Sequence, residues 1–585
     1  MKKKWKIINS IGKGSAIERI FEILLKNRGL KTEKEIEEFL NPKDPYTIDL
    51  KSAGISEKEI VKAIKRIKKA IIEKQQIVIY GDYDADGICA TALLWETLHN
   101  LGALALPFIP NREEHGYGLN KKGIISILND EKIKNKVDLI ITVDNGIVAH
   151  EGVLFANSQG IDVIITDHHQ KKQKKDKKSK KDKKNKKSIY KLPKAHSIVW
   201  SDKIAGVGVA WFFAKEIYQY FHKNLKGFKA SNSLELACIG TITDLMPALG
   251  INRSIVKYGL LELGKSRRAG ILALCSNTGI SQENIGSFEI GFIIGPRINA
   301  MGRLENAIDS LRLLCTKNSK RAELLADKLG LTNRHRQQLT ITTFDHALKQ
   351  IKKISKKEKV IIISHASYNQ GIVGLVAGKL AEKYYRPSIV ISKEGDYSRG
   401  SARSIKGFNM VKSLRSMSDL FEDLGGHPMA AGFSIKTKNI PKLKKRFTSF
   451  AEKEIKSSML QPVLDIDLEI LAKDISWNLV DSLEKFEPFG IGNPKPVFTV
   501  SKIKVVSVRA VGREYKHLKL SLKPGNSQGQ AVIFDAIAFN LGSMHKKIIK
   551  NNLIDICFNI EKNYWNGEEK LQLNIKDIVL VKRKN

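Results

Sequence analysis

The chain has 585 residues, 42% of them hydrophobic, and a formal charge of +39. That is material for roughly three to five packed domains and excludes a disordered tail, and the charge makes a polyanion the first partner to consider, through long-range attraction and counterion release. Cys89, Cys238, Cys275, Cys315 and Cys557 stand singly with no C-x-x-C pair, which argues against a disulfide frame or thiolate zinc site and for a reducing cytoplasm; the basic start has no apolar stretch of signal-peptide length behind it and no apolar run elsewhere reaches membrane-spanning length, so no membrane partner is expected.

The predicted elements, in chain order, form an α/β protein of two modules. Over 1–75, charged and apolar residues alternate at helical spacing, as in Ile60-Val61-Lys62-Ala63-Ile64, which predicts a helical N-terminal cap. A first α/β module is expected over 76–316, opening with the strand Ile77–Tyr80, an acidic turn and a helix from Ile88. The near-continuous lysine block Lys171–Lys187 repels itself and reads as a solvated loop. The charged, helix-period stretch 317–352 is expected to be a connecting helix. A second α/β module follows over 353–457, with strands at Val360–Ile363 and Ser388–Ile391 and a helix at Val373–Leu380. The short strands and turns of 458–585 predict a small antiparallel barrel.

Three apolar runs end in acidic or histidine residues: Ile77–Tyr80 before Asp82, Asp84 and Asp86; Leu139–Val143 before Asp144; and Val163–Thr166 before Asp167, His168 and His169. Buried parallel strands place ligands where their carboxyl ends meet the loops. Hard cations such as Mg²⁺ or Mn²⁺ favour carboxylates, and Mn²⁺ also accepts an imidazole. Asp84 and Asp86 can face two ions, Asp144 can bridge them, and His168 and Asp244 can complete the shells. Two such ions suit in-line displacement at phosphorus, so phosphoester hydrolysis is the expected reaction. The competing reading is structural: an isolated Asp after a strand is more often an N-cap or Asx-turn, by roughly three to one. Against it stands the like charge packed into one turn, which needs compensation, and its recurrence at three strand ends.

The run Tyr80–Gly87, with Thr142–Gly146, Asp167-His168-His169 and Thr241–Pro247, resembles the DHH phosphoesterase superfamily, and within it the single-stranded-DNA-specific 5′-to-3′ exonucleases. The likeness runs on through Gly295–Arg303 and Phe489–Pro494 and covers nearly the whole chain. It implies metal ligands at Asp84, Asp86, Asp144, His168 and Asp244 for two Mn²⁺ or Mg²⁺ ions. It places His169 at the scissile phosphate and Asp167 behind the histidines; Asp82 belongs to the motif without being assigned as a ligand. It further implies DNA contacts from Arg297, Asn299, Arg303, Ser401, Arg403 and His427, a 5′-end contact from Arg112, and stacking by Tyr117. The modules become a DHH and a DHH-associated domain, and the barrel an OB-fold platform for single strands.

Two positions depart from the family pattern: Tyr80 and Asn369 stand where relatives often carry His. The function implied is metal-dependent degradation of single-stranded DNA in recombination and repair, with a single-stranded-DNA-binding protein and a RecQ-type helicase as partners. The alternatives are a phosphodiesterase acting on short oligonucleotides or nucleotide phosphates, and a catalytically inactive DNA-binding scaffold; the complete ligand set argues against the second.

Overall fold

The computed structural model describes residues 3–10, 17–171, 191–222, 233–351, 358–525, 532–565 and 567–581. Apart from Lys171, the lysine block lies outside them. The chain divides into two compact units, one of Glu37–Gln337 with Pro488–Asn493, the other of Met1–Ile36, Gln338–Glu487 and Pro494–Asn585.

The first unit is built on a five-stranded, all-parallel sheet in the order Ala105–Phe108, Gln76–Tyr80, Val137–Val143, Asp162–Asp167, Ser197–Trp200. Its strands are apolar runs because both faces are covered. Ile77, Ile79, Leu139, Ile141 and Ile164 pack into one core with Leu93 and Phe212. Val78, Tyr80, Ile140, Val163 and Ile165 pack into another with Ile124, Ile127 and Val153. Each such aliphatic side chain contributes about 1.5–3 kcal/mol when buried. The α/β pattern expected to reach residue 316 stops earlier: Ser197–Trp200 is the sheet's last strand, and the described elements from Gly206 to Cys315 are helices. There the apolar runs continue past the length of a strand and bury on several sides, a pattern that periodicity alone does not separate from buried strands.

The second unit holds two sheets. One runs in the order Phe421–His427, Ala430–Lys436, Tyr397–Arg403, Ser388–Ser392, Ile361–His365, parallel only in its last pair. In the other, Phe498–Val511, His517–Lys523, Phe534–Ala538, Glu568–Leu580 and Leu553–Trp565 close on themselves through a pairing of the first strand with the last. This barrel is not wholly antiparallel, since Phe534–Ala538 and Glu568–Leu580 pair parallel.

Val463–Glu469 and Lys4–Ser10 extend the barrel sheet in parallel. The expected N-terminal helical cap is therefore corrected at its start. Lys4–Ser10 is a strand, held by its pairing and by the Trp5 indole donating to Asp577 Oδ2 at 2.8 Å; helices follow at Ile17–Asn27, Glu33–Leu40, Leu50–Ala53 and Glu57–Ile72. The expected connector is one helix of 33 residues, Ser319–Ile351.

Candidate metal centre

The strand Gln76–Tyr80 leads into the acidic turn, and there the structural and functional readings coexist. Asp84 N-caps the helix Ala85–Asn100, its Oδ1 accepting the Gly87 N–H at 3.1 Å. Asp86 is buried with both oxygens held by the start of the helix Gly206–Phe221: Oδ2 accepts the Gly206 N–H at 2.8 Å, and Oδ1 the Val207 N–H at 2.9 Å. A helix N-terminus is a natural seat for a carboxylate. Glycine is required at two positions here by close approach. A Cβ on Gly206 would collide with the Asp144 carboxylate, and one on Gly240 would lie 2.6 Å from Asp86 Oδ1. Sequence reasoning gave neither glycine a role.

Asp144, at the end of Val137–Val143, has a φ of 61°, a left-handed conformation uncommon outside glycine and most tolerated by Asn and Asp. Its Oδ1 is buried and makes no hydrogen bond among the described residues, although His168 Nε2 lies 3.1 Å away. The same ring nitrogen is 3.7 Å from Asp244 Oδ2 and 3.8 Å from Asp86 Oδ2. Asp244 caps the C-terminus of the helix Leu234–Thr243 and precedes Leu245, another residue of positive φ.

Three sets of ligand atoms lie within 4.8 Å of one another: Asp144, His168 and His169; Asp86, His168 and Asp244; and Asp82, Asp84 and Asp144. All five expected ligands are thus brought together, and Asp82 joins them. Tyr80 does not: it is fully buried, its hydroxyl donating to the Gly118 carbonyl at 3.1 Å.

The electrostatics match this crowding. Burial, then the neighbouring carboxylates, push Asp86 and Asp144 well above the usual carboxylate range. Burial and then the charge of Asp84 raise Asp82 to about 8 and Asp244 to about 7. Asp167 behaves oppositely. Burial pushes it up, but the His169 side chain and backbone N–H groups outweigh that and hold it below the usual range. Its Oδ1 accepts the N–H groups of His168 and His169 at 2.7 and 3.0 Å, its Oδ2 that of Ile147 at 2.8 Å. His169 Nδ1 lies 2.8 Å from Asp167 Oδ1. Burial lowers the imidazole's affinity for its proton, yet Asp167 raises it to about 9. An oxygen-rich set with one imidazole and an unsatisfied buried carboxylate oxygen fits a hard divalent cation.

The remaining expected site residues fall into two groups. In the first unit, Tyr117 is half exposed, and its hydroxyl lies 3.2 Å from His169 Nε2. Its ring meets Tyr83 edge-on, and the Arg112 guanidinium sits 5.4 Å from the Tyr83 ring centre. Arg303 is close enough for its charge to bear on Tyr83. Arg297 Nη1 donates to the Ile293 carbonyl at 2.8 Å, while its Nε is buried with no hydrogen-bond partner among the described residues. Asn299, expected among the DNA contacts, spends its Oδ1 on the Ala85 N–H at 2.8 Å and so braces the acidic turn.

In the second unit, Arg403, Ala430 and His427 lie in one row across three strands, and Arg403 Nη1 donates to Ser401 Oγ at 3.1 Å. A Cβ on Gly374 would lie 3.0 Å from that Oγ, so the helix Val373–Tyr384 begins against this pair. Asn369 Oδ1 accepts the Gly371 N–H at 2.8 Å, an Asx-turn leading to the same helix. Of the barrel aromatics, Phe534 is core, whereas Tyr515, Phe539 and Tyr564 are exposed.

Comparison with known proteins agrees with these features. Residues 76–241 match the DHH family N-terminal domain, 357–453 the DHHA1 domain and 466–577 the RecJ OB domain. The chain is 34% identical to the single-stranded-DNA-specific exonuclease RecJ of Bacillus subtilis over 98% of its own length and 71% of that protein's. It is 29% identical to the RecJ of Salmonella typhimurium over 95% of each. The crystal structure of RecJ from Thermus thermophilus in complex with Mn²⁺ superposes with a TM-score of 0.78 at 25% identity, covering 98% of this chain and 79% of that one. The acidic strand-end cluster, the DHH, DHHA1 and OB modules in that order, and the near full-length likeness together place this chain in the RecJ family of DHH proteins.

Proposed function

We propose that this chain is a metal-dependent exonuclease that degrades single-stranded DNA from the 5′ end to mononucleotides. The observation that carries the reading is the convergence of Asp84, Asp86, Asp144, His168 and Asp244 around the unsatisfied Asp144 Oδ1. These residues would hold two divalent ions, Mn²⁺ or Mg²⁺, the metals with which RecJ from Thermus thermophilus has been crystallised. Such ions, when bound, supply a hydroxide nucleophile and neutralise charge on the phosphoryl group. The substrate class, 5′ polarity and a role in recombination and repair follow from the family.

The side chains divide the remaining work. Asp167 fixes the His169 ring through Nδ1 and favours its protonated form, so that Nε2 carries a proton toward the Tyr117 hydroxyl and the exposed side of the site. An imidazolium there donates to a phosphate oxygen and protonates the departing oxygen. Arg112 and Tyr117 would receive the 5′ end, and Arg297, Arg303, Ser401, Arg403 and His427 the phosphates that follow, Arg by bidentate contacts. We assign 76–316 to the DHH domain, 353–457 to the DHH-associated domain and 458–585 to the OB-like domain. A single-stranded-DNA-binding protein and a RecQ-type helicase would be partners, and the cytoplasm the compartment; no described helix is long and apolar enough to cross a membrane.

The test is degradation of single-stranded DNA labelled at one end or the other, with Mn²⁺, Mg²⁺ or EDTA. Immediate release of mononucleotide from the 5′ label, abolished by EDTA, is expected. Binding without cleavage under every metal condition would mark a scaffold, and cleavage confined to very short oligomers a small-substrate phosphodiesterase.

A further inference from the structure

Phe288 and Phe292 form a stacked aromatic pair on the surface beside the metal centre. Their ring centres are 4.9 Å apart at an interplanar angle of 27°. Phe288 is 61% exposed and Phe292 72%, whereas Ile290 and Ile294 between and beyond them are buried. They ride on a continuous helix made of Ser287–Glu289, Ile290–Ile294 and Gly295–Leu304, whose middle stretch is π-helical. Such insertions recur at functional sites because they turn side chains out of the α-helical register.

Two contacts place this pair. Gly295 packs against Thr243, with no room there for a Cβ, and a Cβ on Gly291 would lie 3.8 Å from Ile242 Cγ2. The π-helical stretch therefore leans on the two residues that precede Asp244. Arg297 folds back along the same helix, Nη1 on the Ile293 carbonyl, which brings its guanidinium to the turn that carries Phe292. The Arg297 guanidinium at this turn, with the charge of Arg334 bearing on it, makes this edge of the pair cationic.

An exposed apolar pair with a cationic rim matches a base above its phosphate. Aromatic rings accept any base on their π-face, and an adjacent arginine neutralises the backbone. We propose that Phe288 and Phe292 are a stacking platform for bases of the single strand whose phosphate is taken by Arg297. This rests on the nuclease reading and adds to it a sequence-tolerant grip on the bases.

The experiment measures binding of the full chain, in EDTA so that nothing is cut, to a single-stranded oligothymidylate and to the same backbone carrying abasic sites. The wild type should prefer the strand with bases by on the order of tenfold for each base stacked. Phe288→Ala with Phe292→Ala should abolish that preference while binding to the abasic backbone persists, and Phe292→Trp should keep it. A base preference that survives the double substitution overturns the platform. So does Phe292→Leu behaving like Phe292→Trp, since an apolar contact then suffices without stacking. A wild type that degrades single strands in Mn²⁺ while the variants bind as it does sinks the platform alone; a wild type that neither binds single strands nor degrades them in Mn²⁺ sinks the nuclease reading with it.

Discussion

Gly206 donates its N–H to Asp86 Oδ2 at 2.8 Å while its bare Cα abuts the Asp144 carboxylate. One residue thereby sets the separation of two carboxylates that come from different strand ends. A methyl group at this point has nowhere to go: it must push Asp144 or the helix Gly206–Phe221 away, and either movement widens the ligand set. Gly206→Ala should weaken Mn²⁺ binding by on the order of 10–100-fold, the range found when supports of metal ligands are lost. Titration calorimetry with Mn²⁺ alone reads this directly, and unchanged affinity would show that the carboxylates are positioned by other contacts.

Charge in this cluster is a liability without a cation. Asp86 and Asp144 are buried; after burial itself, Asp86 raises the affinity of Asp144 for protons, and Asp244 and Asp84 raise that of Asp86. Removing one charge relieves repulsion, so Asp144→Asn should melt higher than the wild type in EDTA. Relief on the order of 1 kcal/mol corresponds to about 2–4 °C in a domain of this size. The same variant should lose nuclease activity and most of its stabilisation by Mn²⁺. A lower melting temperature in EDTA would argue that Asp144 is satisfied as an anion without metal.

The pH dependence follows with a definite sign. Unfolded aspartates titrate near about 3.9, whereas folded Asp82 and Asp244 are raised to about 8 and about 7. The folded chain therefore binds more protons across that window, and its stability falls as pH rises through it. His169, raised to about 9 from an ordinary value near 6.5, adds a loss of the same sign as pH climbs toward 9. Asp167, held low, contributes stability that is lost only in acid. In EDTA the melting temperature should decline from about pH 5 to about pH 8. Added metal should stabilise most at the alkaline end, where it no longer competes with protons; a metal effect larger in acid would contradict the assignment.

His169 and Asp167 should separate in their consequences. His169→Ala removes a proton donor from the rim of the site and should lower kcat by on the order of 10²–10⁴-fold; it also takes the ring partner from the Asp167 carboxylate, which keeps its three backbone donors, so its melting temperature should fall, but by less than that of the Asp167 variant. Asp167→Asn puts an amide where three backbone N–H groups, from Ile147, His168 and His169, now donate. At least one donor then faces another, so this variant should lose stability, by about 1–3 kcal/mol, as well as activity. Equal melting temperatures for the two would remove Asp167 from its structural role.

The legible part of this site is the part encoded locally. Asp84, Asp86, Asp144, Asp167 and His168 each follow a strand whose apolar run is visible in sequence, so their convergence could be inferred from the parallel sheet alone. The contacts that hold them were not legible, because they join residues far apart. Gly206 reaches Asp86 across 120 positions and Asn299 reaches Ala85 across 214. The strand Lys4–Ser10 escaped for the same reason: its partner is Val463–Glu469, and no local period announces a parallel pairing of that span. The π-helical turn at Ile290–Ile294 was hidden because Ile-Gly-Phe-Ile-Ile carries no helical period.

Arg268 ties the helix that ends in Asp244 to its neighbours. Its guanidinium binds Glu96 through Nη1 at 2.5 Å and Nη2 at 3.0 Å, Glu235 through Nε at 3.1 Å, and the Leu314 carbonyl at 2.7 Å. Glu235, on the helix Leu234–Thr243, is fully buried, and burial raises its carboxyl to about 7 even beside this arginine. Arg268→Met would leave Glu235, fully buried, and Glu96, partly buried, without their cation, and breaking such a buried pair costs about 3–5 kcal/mol. Arg268→Met combined with Glu235→Gln and Glu96→Gln should recover much of that loss, because no buried charge then remains. The single variant should also weaken Mn²⁺ binding, since Asp244 hangs from the loosened helix. Chemical denaturation of the single and triple variants decides the point: similar losses in both would mean that packing around the Arg268 stem, and not its charge, stabilises this helix.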